Sequence, residues 1–333
     1  MILTVTPNPS LDLLFRAERL VWDDANRIPL PRRRPGGQGI NLVRAVRALR
    51  PAMPARAIAL LGGAVGRELE ETLAAEGTPL RPVPVDGETR VFVGVREAET
   101  GRSLLLNPRG PGAGRREADA LVAALEDELA GAEAARSAAW VACCGSLPPG
   151  LPEDLYARLG ATARERGHRF VPDCDGDALR RAVSVGCDLV APNIHEAARL
   201  LGRAIDDGPA AVDAARSLLE LGPAVAVITL GAAGALAATR DAAWLASPAL
   251  PPALREEADA GSAVGAGDAL LAALLLALTA ATPAGGRIPA DAVATALAEA
   301  VAAGTATLLG RGAALVTAAD AARVRPYVRV EAA

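Results

Sequence analysis

Ala139-Trp140-Val141-Ala142-Cys143 is apolar at every position. A helical pattern over residues 152–166 follows it, and then a second short strand at 169–172. Strand, helix and strand in that order make a crossover unit, which joins parallel neighbours of one sheet. A strand that is apolar throughout, rather than at alternate residues, expects cover on both faces. The rhythm extends both ways. Upstream, strands are predicted at 2–6 and 57–61, and helices at 39–49, 67–76 and 115–129. Downstream, strands at 189–191 and 224–229 alternate with helices at 194–201 and 211–221. The pattern predicts an α/β fold with a mainly parallel central sheet and helices on both faces.

Two segments break the rhythm. Residues 11–34 carry no convincing helix. Residues 89–107 read as two strands, 90–96 and 102–106, around a turn at Glu99-Thr100-Gly101. Both are expected in a small β-sheet outside the main layers, set as a lid over a cleft. A pair of ordinary surface hairpins is the alternative. After residue 230 the pattern predicts a hairpin (234–239 and 242–246), a loop (256–267), an apolar helix (268–281) and a last helix (290–308). No repeat or linker divides the chain. The expectation is one domain, 1–333, with a lid formed by about 11–34 and 89–107.

The chain has a net charge of −4, and all 35 of its basic residues are arginine. The one dense basic run, Arg32-Arg33-Arg34, reads as a solvated turn before Pro35. Nucleic-acid binders need a basic face to displace counterions, so that class is not expected. With no lysine, the P-loop and the protein-kinase strand lysine are both excluded. Cys143, Cys144, Cys174 and Cys187 form no Cys-x-x-Cys pair, and His168 and His195 are the only histidines. A structural zinc site is not expected, and buried reduced thiols fit a cytoplasmic protein. The start, Met1 to Asn8, lacks a basic n-region and reads as a strand, not a signal peptide. The most apolar run, 269–281, is shorter than the roughly 20 residues a bilayer span needs, so no membrane partner is expected.

The strongest local feature is Asp259-Ala260-Gly261-Ser262-Ala263-Val264-Gly265-Ala266-Gly267-Asp268, which leads directly into a helix. Small residues let backbone N–H groups approach a ligand, and a helix N-terminus offers unpaired donors and the positive end of a dipole. Such a place suits a phosphate or the charge that develops during phosphoryl transfer. Asp268 would take a proton from a hydroxyl there; capping the helix is the other reading. A dinucleotide fingerprint is excluded, because position 270 is Leu where a third Gly or Ala is needed.

Other strand ends carry further candidates. Thr6-Pro7-Asn8-Pro9-Ser10-Leu11-Asp12 follows the first strand, where ligands bind in open α/β sheets. Asp12 would accept two hydroxyl hydrogens, or form an Asx-type turn. Pro35-Gly36-Gly37-Gln38-Gly39-Ile40-Asn41 opens a helix and would bring backbone close to a sugar ring, with a tight turn as the alternative. Gly145-Ser146-Leu147-Pro148-Pro149-Gly150 lacks the Gly-x-Ser-x-Gly spacing of a hydrolase elbow. Asn193-Ile194-His195-Glu196 places Asn and Glu on one face of a helical turn. Glu196 would hold water around magnesium, while Asn193 also suits a helix cap. Thr229-Leu230-Gly231-Ala232-Ala233-Gly234 joins two strands and would fit against a nucleotide.

In this order and at these strand ends, the stretches 6–12, 36–41, 89–90, 145–150, 192–196, 229–234 and 264–268 together resemble the ribokinase-like, PfkB-type carbohydrate kinases. The likeness is greatest to the branch acting on phosphorylated hexoses, the 6-phosphofructokinases, 1-phosphofructokinases and tagatose-6-phosphate kinases. It implies a ribokinase-like three-layer sandwich with a small β-sheet lid that pairs two subunits. It implies Asp268 as the base, with the Gly265-Ala266-Gly267 backbone as the anion hole. Asp12, Gly37, Gln38 and Asn41 would hold the sugar, and Arg90, Ser146 and Arg27 its phosphate. Asn193, Thr229, Gly231 and Gly234 would contact ATP, with Glu196 near Mg²⁺. A monovalent-cation (K⁺) site beside the anion hole would involve Ser262, Val264 and Gly312.

The chain departs from the family pattern at three positions: Gln38 replaces a Lys or Gly of the loop, Ala191 a Lys, and Phe92 an Asn. A non-catalytic binding protein on the same fold and an NAD-dependent oxidoreductase are the competing classes.

Overall fold

The computed structural model describes residues 1–135, 138–206, 208–259, 263–282, 286–309 and 316–333. The first strand, β1 (Ile2–Thr6), is buried at every residue. Ile2 packs into one hydrophobic core, and Leu3 and Val5 into another on the opposite side. That two-sided burial is why the strand is apolar without alternation. β2 (Ser10–Ala17) and β3 (Arg32–Gly36) then leave the main layers. α1 (Gln38–Leu49), β4 (Ala55–Leu61), α2 (Gly63–Ala75) and β5 (Leu80–Pro84) return to them. β6 (Arg90–Glu97) and β7 (Ser103–Leu106) form a second excursion. The alternation resumes with α3 (Arg115–Ala134), β8 (Trp140–Cys144), α4 (Leu155–Glu165), β9 (Arg169–Asp173), α5 (Gly176–Ser184) and β10 (Leu189–Val190). It continues through α6 (Ile194–Leu201), α7 (Gly208–Glu220) and β11 (Val225–Thr229) to the hairpin of β12 (Ala235–Ala238) and β13 (Ala243–Pro248). α8 (Pro252–Asp259), α9 (Ala266–Ala281), α10 (Ala290–Leu309), α11 (Ala318–Val324) and β14 (Val328–Ala332) complete the described elements.

The first sheet, β5-β4-β1-β8-β9, is parallel throughout. The second, β10-β11-β12-β13-β14, begins parallel and turns antiparallel beyond β11. Short connections instead of crossover helices join β11, β12 and β13, and such connections can only reverse the strand. Asp188 lies at the junction of the two sheets. Its N–H donates to Phe170 O at 2.9 Å, and its O accepts from Ala224 N–H at 3.1 Å. Helices α1, α9 and α10 bury one face, and α3, α4 and α7 the other. α10 is the one described helix long and apolar enough to cross a bilayer. Here it is a core helix, with Val293, Leu297 and Val301 buried beside α9.

The two irregular segments meet in a third sheet, β3-β2-β6-β7. Its register sets Asp12 opposite Arg34 on one side and Phe92 on the other, and Ser10 opposite Gly36 and Arg90. Several expectations need correction. Arg32 to Arg34 are not a solvated turn: they open β3, and Arg34 is buried. The loop expected over 256–267 carries α8 as far as Asp259, and α9 begins at Ala266 rather than 268. β5, α5, α11 and β14 were not anticipated. β5 contains Pro82 and Pro84, which a strand tolerates only at a sheet edge, where β5 lies.

Candidate active site

Gly265 caps α9 with φ 87°, a left-handed conformation that glycine adopts without strain. Asp268 sits in the first turn, yet the helix has no side-chain cap bond. Its carboxylate instead accepts from Asn41 Nδ2 at 2.9 Å. The Asp268 side chain therefore does not cap its own helix. Burial pushes the Asp268 carboxyl up to about 6; Asn41 and Arg34 pull it down, and the charge of Asp12 adds to the rise. Around it, Ala266 N–H donates to Ala263 O at 3.1 Å and Ala269 N–H to Gly265 O at 2.9 Å. The amides of Gly267 and Asp268 lie between them, in the turn where no intrahelical acceptor exists. A Cβ placed on Gly267 would meet nothing within 4 Å, so this backbone is open to a ligand.

Asp12, buried in β2, accepts from Ser10 Oγ at 2.7 Å and pairs with Arg34 Nη2 at 3.3 Å. Burial raises its pKa; Ser10, Arg34 and Arg90 oppose the rise. The pairing needs glycine at 36, where a Cβ would lie 2.1 Å from Asp12 Oδ1. Gly37 caps α1, and exposed Gln38 reaches toward Gly145. Arg90 donates to Asn8 O at 2.8 Å, Pro9 O at 3.4 Å, Pro108 O at 3.2 Å and Asn107 Oδ1. Those four bonds leave one of its five N–H donors. Ser146 Oγ accepts from Asn8 Nδ2 at 3.0 Å. Arg27 is exposed on the connection between β2 and β3, and no hydrogen bond or ion pair ties it to this cluster. Six buried side-chain atoms among the described residues lack a partner within the protein, and four are here: Thr6 Oγ1, Asn8 Oδ1, Arg34 Nε and Asn41 Oδ1. Buried polar atoms are normally paired, so such a concentration marks a place shaped for a polar ligand.

Beyond the end of β10, Asn193 caps α6: its side chain accepts from His195 and Glu196 N–H, each at 3.0 Å. Glu196 Oε2 accepts in return from Asn193 N–H at 2.9 Å, which completes a capping box. Burial raises the Glu196 pKa, against the bond from Asn193. Thr229 N–H donates to Pro192 O at 3.1 Å, and Asn193 and Thr229 form a β-bridge. Gly231 starts an exposed 3₁₀ turn. Gly234, with φ 104°, is required where a Cβ would lie 2.0 Å from Ala246 O. Val264 precedes the α9 cap, while Ser262 and Gly312 lie outside the described residues.

Residues 9–319 match the pfkB family carbohydrate kinases. The chain belongs to that family. It is 34% identical to ATP-dependent 6-phosphofructokinase isozyme 2 of Mycobacterium tuberculosis over 279 residues, 84% of this chain and 78% of that protein. It is 29% identical to 1-phosphofructokinase of Bacillus subtilis over 84% of this chain and 86% of that one. The crystal structure of Escherichia coli phosphofructokinase-2 in complex with potassium superposes with TM-score 0.84 at 29% identity, covering 98% of both chains. Arabidopsis thaliana ribokinase, 16% identical over 97% of this chain and 98% of that one, superposes with TM-score 0.72 and shares the ribokinase-like fold.

In this PfkB kinase two residues that sequence reading did not single out are bound into the same cluster. Asn8 ties the end of β1 to Ser146 and to Arg109 O, both at 3.0 Å, and its own O holds Arg90. Asp173 ends β9, where burial first, and then the charges of Asp268 and Glu196, push its carboxyl up to about 8. A carboxylate at the C-terminal end of a buried strand was the available signal. No group of three metal-ligating side chains occurs among the described residues. One or two carboxylates with nucleotide phosphates suffice for Mg²⁺, and Glu196 and Asp173 suit that mode.

Proposed function

We propose that this kinase transfers the γ-phosphoryl group of MgATP to a primary hydroxyl of a hexose phosphate. Fructose 6-phosphate, giving fructose 1,6-bisphosphate, and fructose 1-phosphate are the foremost substrates; tagatose 6-phosphate is the alternative. The observation that carries the reading is Asp268: buried, bonded to Asn41 instead of its own helix, and beside an open turn of backbone amides. Its pKa, near 6, leaves it ionised at neutral pH and able to accept the hydroxyl proton. The Gly265-Ala266-Gly267 backbone faces the charge of the transferring group, with the amides of Gly267 and Asp268 the best placed.

Asp12, Gly37, Gln38 and Asn41 orient the sugar, while Arg90, Ser146 and Arg27 receive its phosphate. Asn193, Thr229, Gly231 and Gly234 hold the nucleotide, and Glu196 holds Mg²⁺ through water. MgATP supplies the phosphoryl group, with its charge partly neutralised by the metal. A K⁺ site involving Val264 is in keeping with the potassium complex of the E. coli relative. The whole chain acts as one domain, with the third sheet as its lid. Homodimer formation through that lid is supported by exposed Trp22, Leu30, Leu105 and Leu106. Four buried free thiols suit the cytoplasm.

The test is ADP release from MgATP against fructose 6-phosphate, fructose 1-phosphate, tagatose 6-phosphate and free fructose. Turnover with at least one phosphorylated sugar is expected. Silence on all of them would leave a binding protein on a kinase fold.

A further inference from the structure

The chain has no lysine, so a permanently charged basic side chain inside the transfer site must be an arginine. Three arginines come near it. Arg90 is half-buried and committed to four loop acceptors. Arg44 is buried but neutralised by Glu76, at 2.8 and 3.0 Å. Arg34 is different. Its side chain is 10% exposed, it pairs across strands with Asp12, and its buried Nε has no partner. Its charge acts on both Asp12 and Asp268.

Resting on the kinase reading above, we propose that Arg34 is a positioning residue for the transfer. It clamps Asp12 in the orientation that receives the sugar, and it is the one positive charge shared by the sugar carboxylate and the base. The carboxylates of Asp12 and Asp268 act on each other, and like charges oppose joint ionisation. Arg34 offsets that repulsion from the lid sheet. It reaches the site only because β2 and β3 hold Asp12 and Arg34 in register and Gly36 leaves room for the carboxylate. The other groups acting on Asp268 are Asn41 from α1 and Asp12 from β2; Asp173 from β9 and Cys144 from β8 feel its charge in turn. None of these carries a positive charge.

The experiment is the pH dependence of kcat/KM for R34M, R34Q and R34K beside the wild type, with the best sugar phosphate of the panel. Removing the cation raises the proton affinity of Asp268. In R34M the acidic limb should therefore move upward by about one pH unit. KM for the sugar phosphate should rise about tenfold, with KM for ATP unchanged. R34K should return the limb to its wild-type position but not the KM, since an ammonium lacks the guanidinium fork. If R34M does not fold, R34Q carries the same expectation. A folded neutral variant with an unmoved limb overturns the assignment, as does an R34K limb displaced as far as that of R34M. A wild type inactive on every sugar phosphate would refute the kinase reading instead. In that event, infrared titration of Asp268 in the unliganded protein, referenced to D268N, still reads the effect of Arg34.

Discussion

Asn41 reaches Asp268 across 227 positions of sequence, whereas Asn193 and Glu196 bond each other within one turn of one helix. The two sides of the cleft are built on these opposite plans. On the proposed sugar side, buried polar groups of β2, β3, α1 and α9 gather, and Arg34 Nε and Asn41 Oδ1 among them have no partner in the protein. On the proposed nucleotide side, Asn193, Glu196 and Thr229 first satisfy one another and their own backbone. Locally closed networks make a stable platform. Long-range networks gather charge where the dielectric is low and electrostatic effects are large, at a cost to stability. If that contrast is right, substitutions on the sugar side change chemistry and those on the nucleotide side change affinity.

The largest expected effect is at the base. D268N should lower kcat by roughly 10²–10⁴-fold while leaving KM for the sugar nearly unchanged. In the wild type, kcat/KM should fall as pH drops below about 6, where Asp268 becomes protonated. Near-normal turnover by D268N in steady-state assays would remove the sugar side's claim to the chemistry. Next comes R90A, which should raise KM for a sugar phosphate about 10–100-fold, as expected for a charge-assisted bond of ~1.5–3 kcal/mol. A similar rise for free fructose would mean that Arg90 only holds the loops at Asn8 and Pro108.

On the nucleotide side, E196Q keeps an oxygen to accept from Asn193 N–H, so the cap survives. The Mg²⁺ concentration for half-maximal rate should rise about tenfold. If kcat falls as steeply as in D268N, the two sides are not separable in the way described. The smallest effect expected is at Asp173. Its folded pKa, about 8, lies above its ordinary value of 3.8, so the folded state holds a proton that the unfolded chain releases. Stability from this group is therefore full below pH 4 and is lost as pH rises through about 8. D173N should raise Tm by about 2–4 °C at pH 8 and do little at pH 4. Equal shifts at both pH values in a calorimetric comparison would rule out this titration as the cause.

Legibility in the sequence followed the same division. Stretches whose meaning is contiguous could be read directly: 139–143 as a strand covered on both faces, 193–196 as a helix start, and 265–268 as an open helix N-terminus. Arg34 was not readable. Its burial depends on Asp12, 22 positions earlier, through a strand pairing that no local pattern announces, and a triplet of arginines ordinarily faces water. Asp268 itself was ambiguous, because a cap and a base look alike until the partner of the carboxylate is known. α8 was missed because its sequence runs into the small-residue stretch that follows. Asn8 hid among prolines, where a turn explained it well enough.

The three hydrophobic cores are very unequal. Two run the length of the helical layers, whereas the third consists of Leu11, Leu61 and Leu69 with a few half-buried neighbours, and it is the apolar cluster through which Leu11 anchors the third sheet. Cooperative units with so little buried apolar surface open first, often far below the free energy of global unfolding. Asp12 and Arg34 ride on that unit, while Asp268 and Asn41 sit on α9 and α1, helices that build the largest core. Warming should therefore silence the protein before it melts. Amides of β2 and β6 should exchange with solvent while those of β1 and β8 remain protected, and the part lost first is the part proposed to choose the substrate.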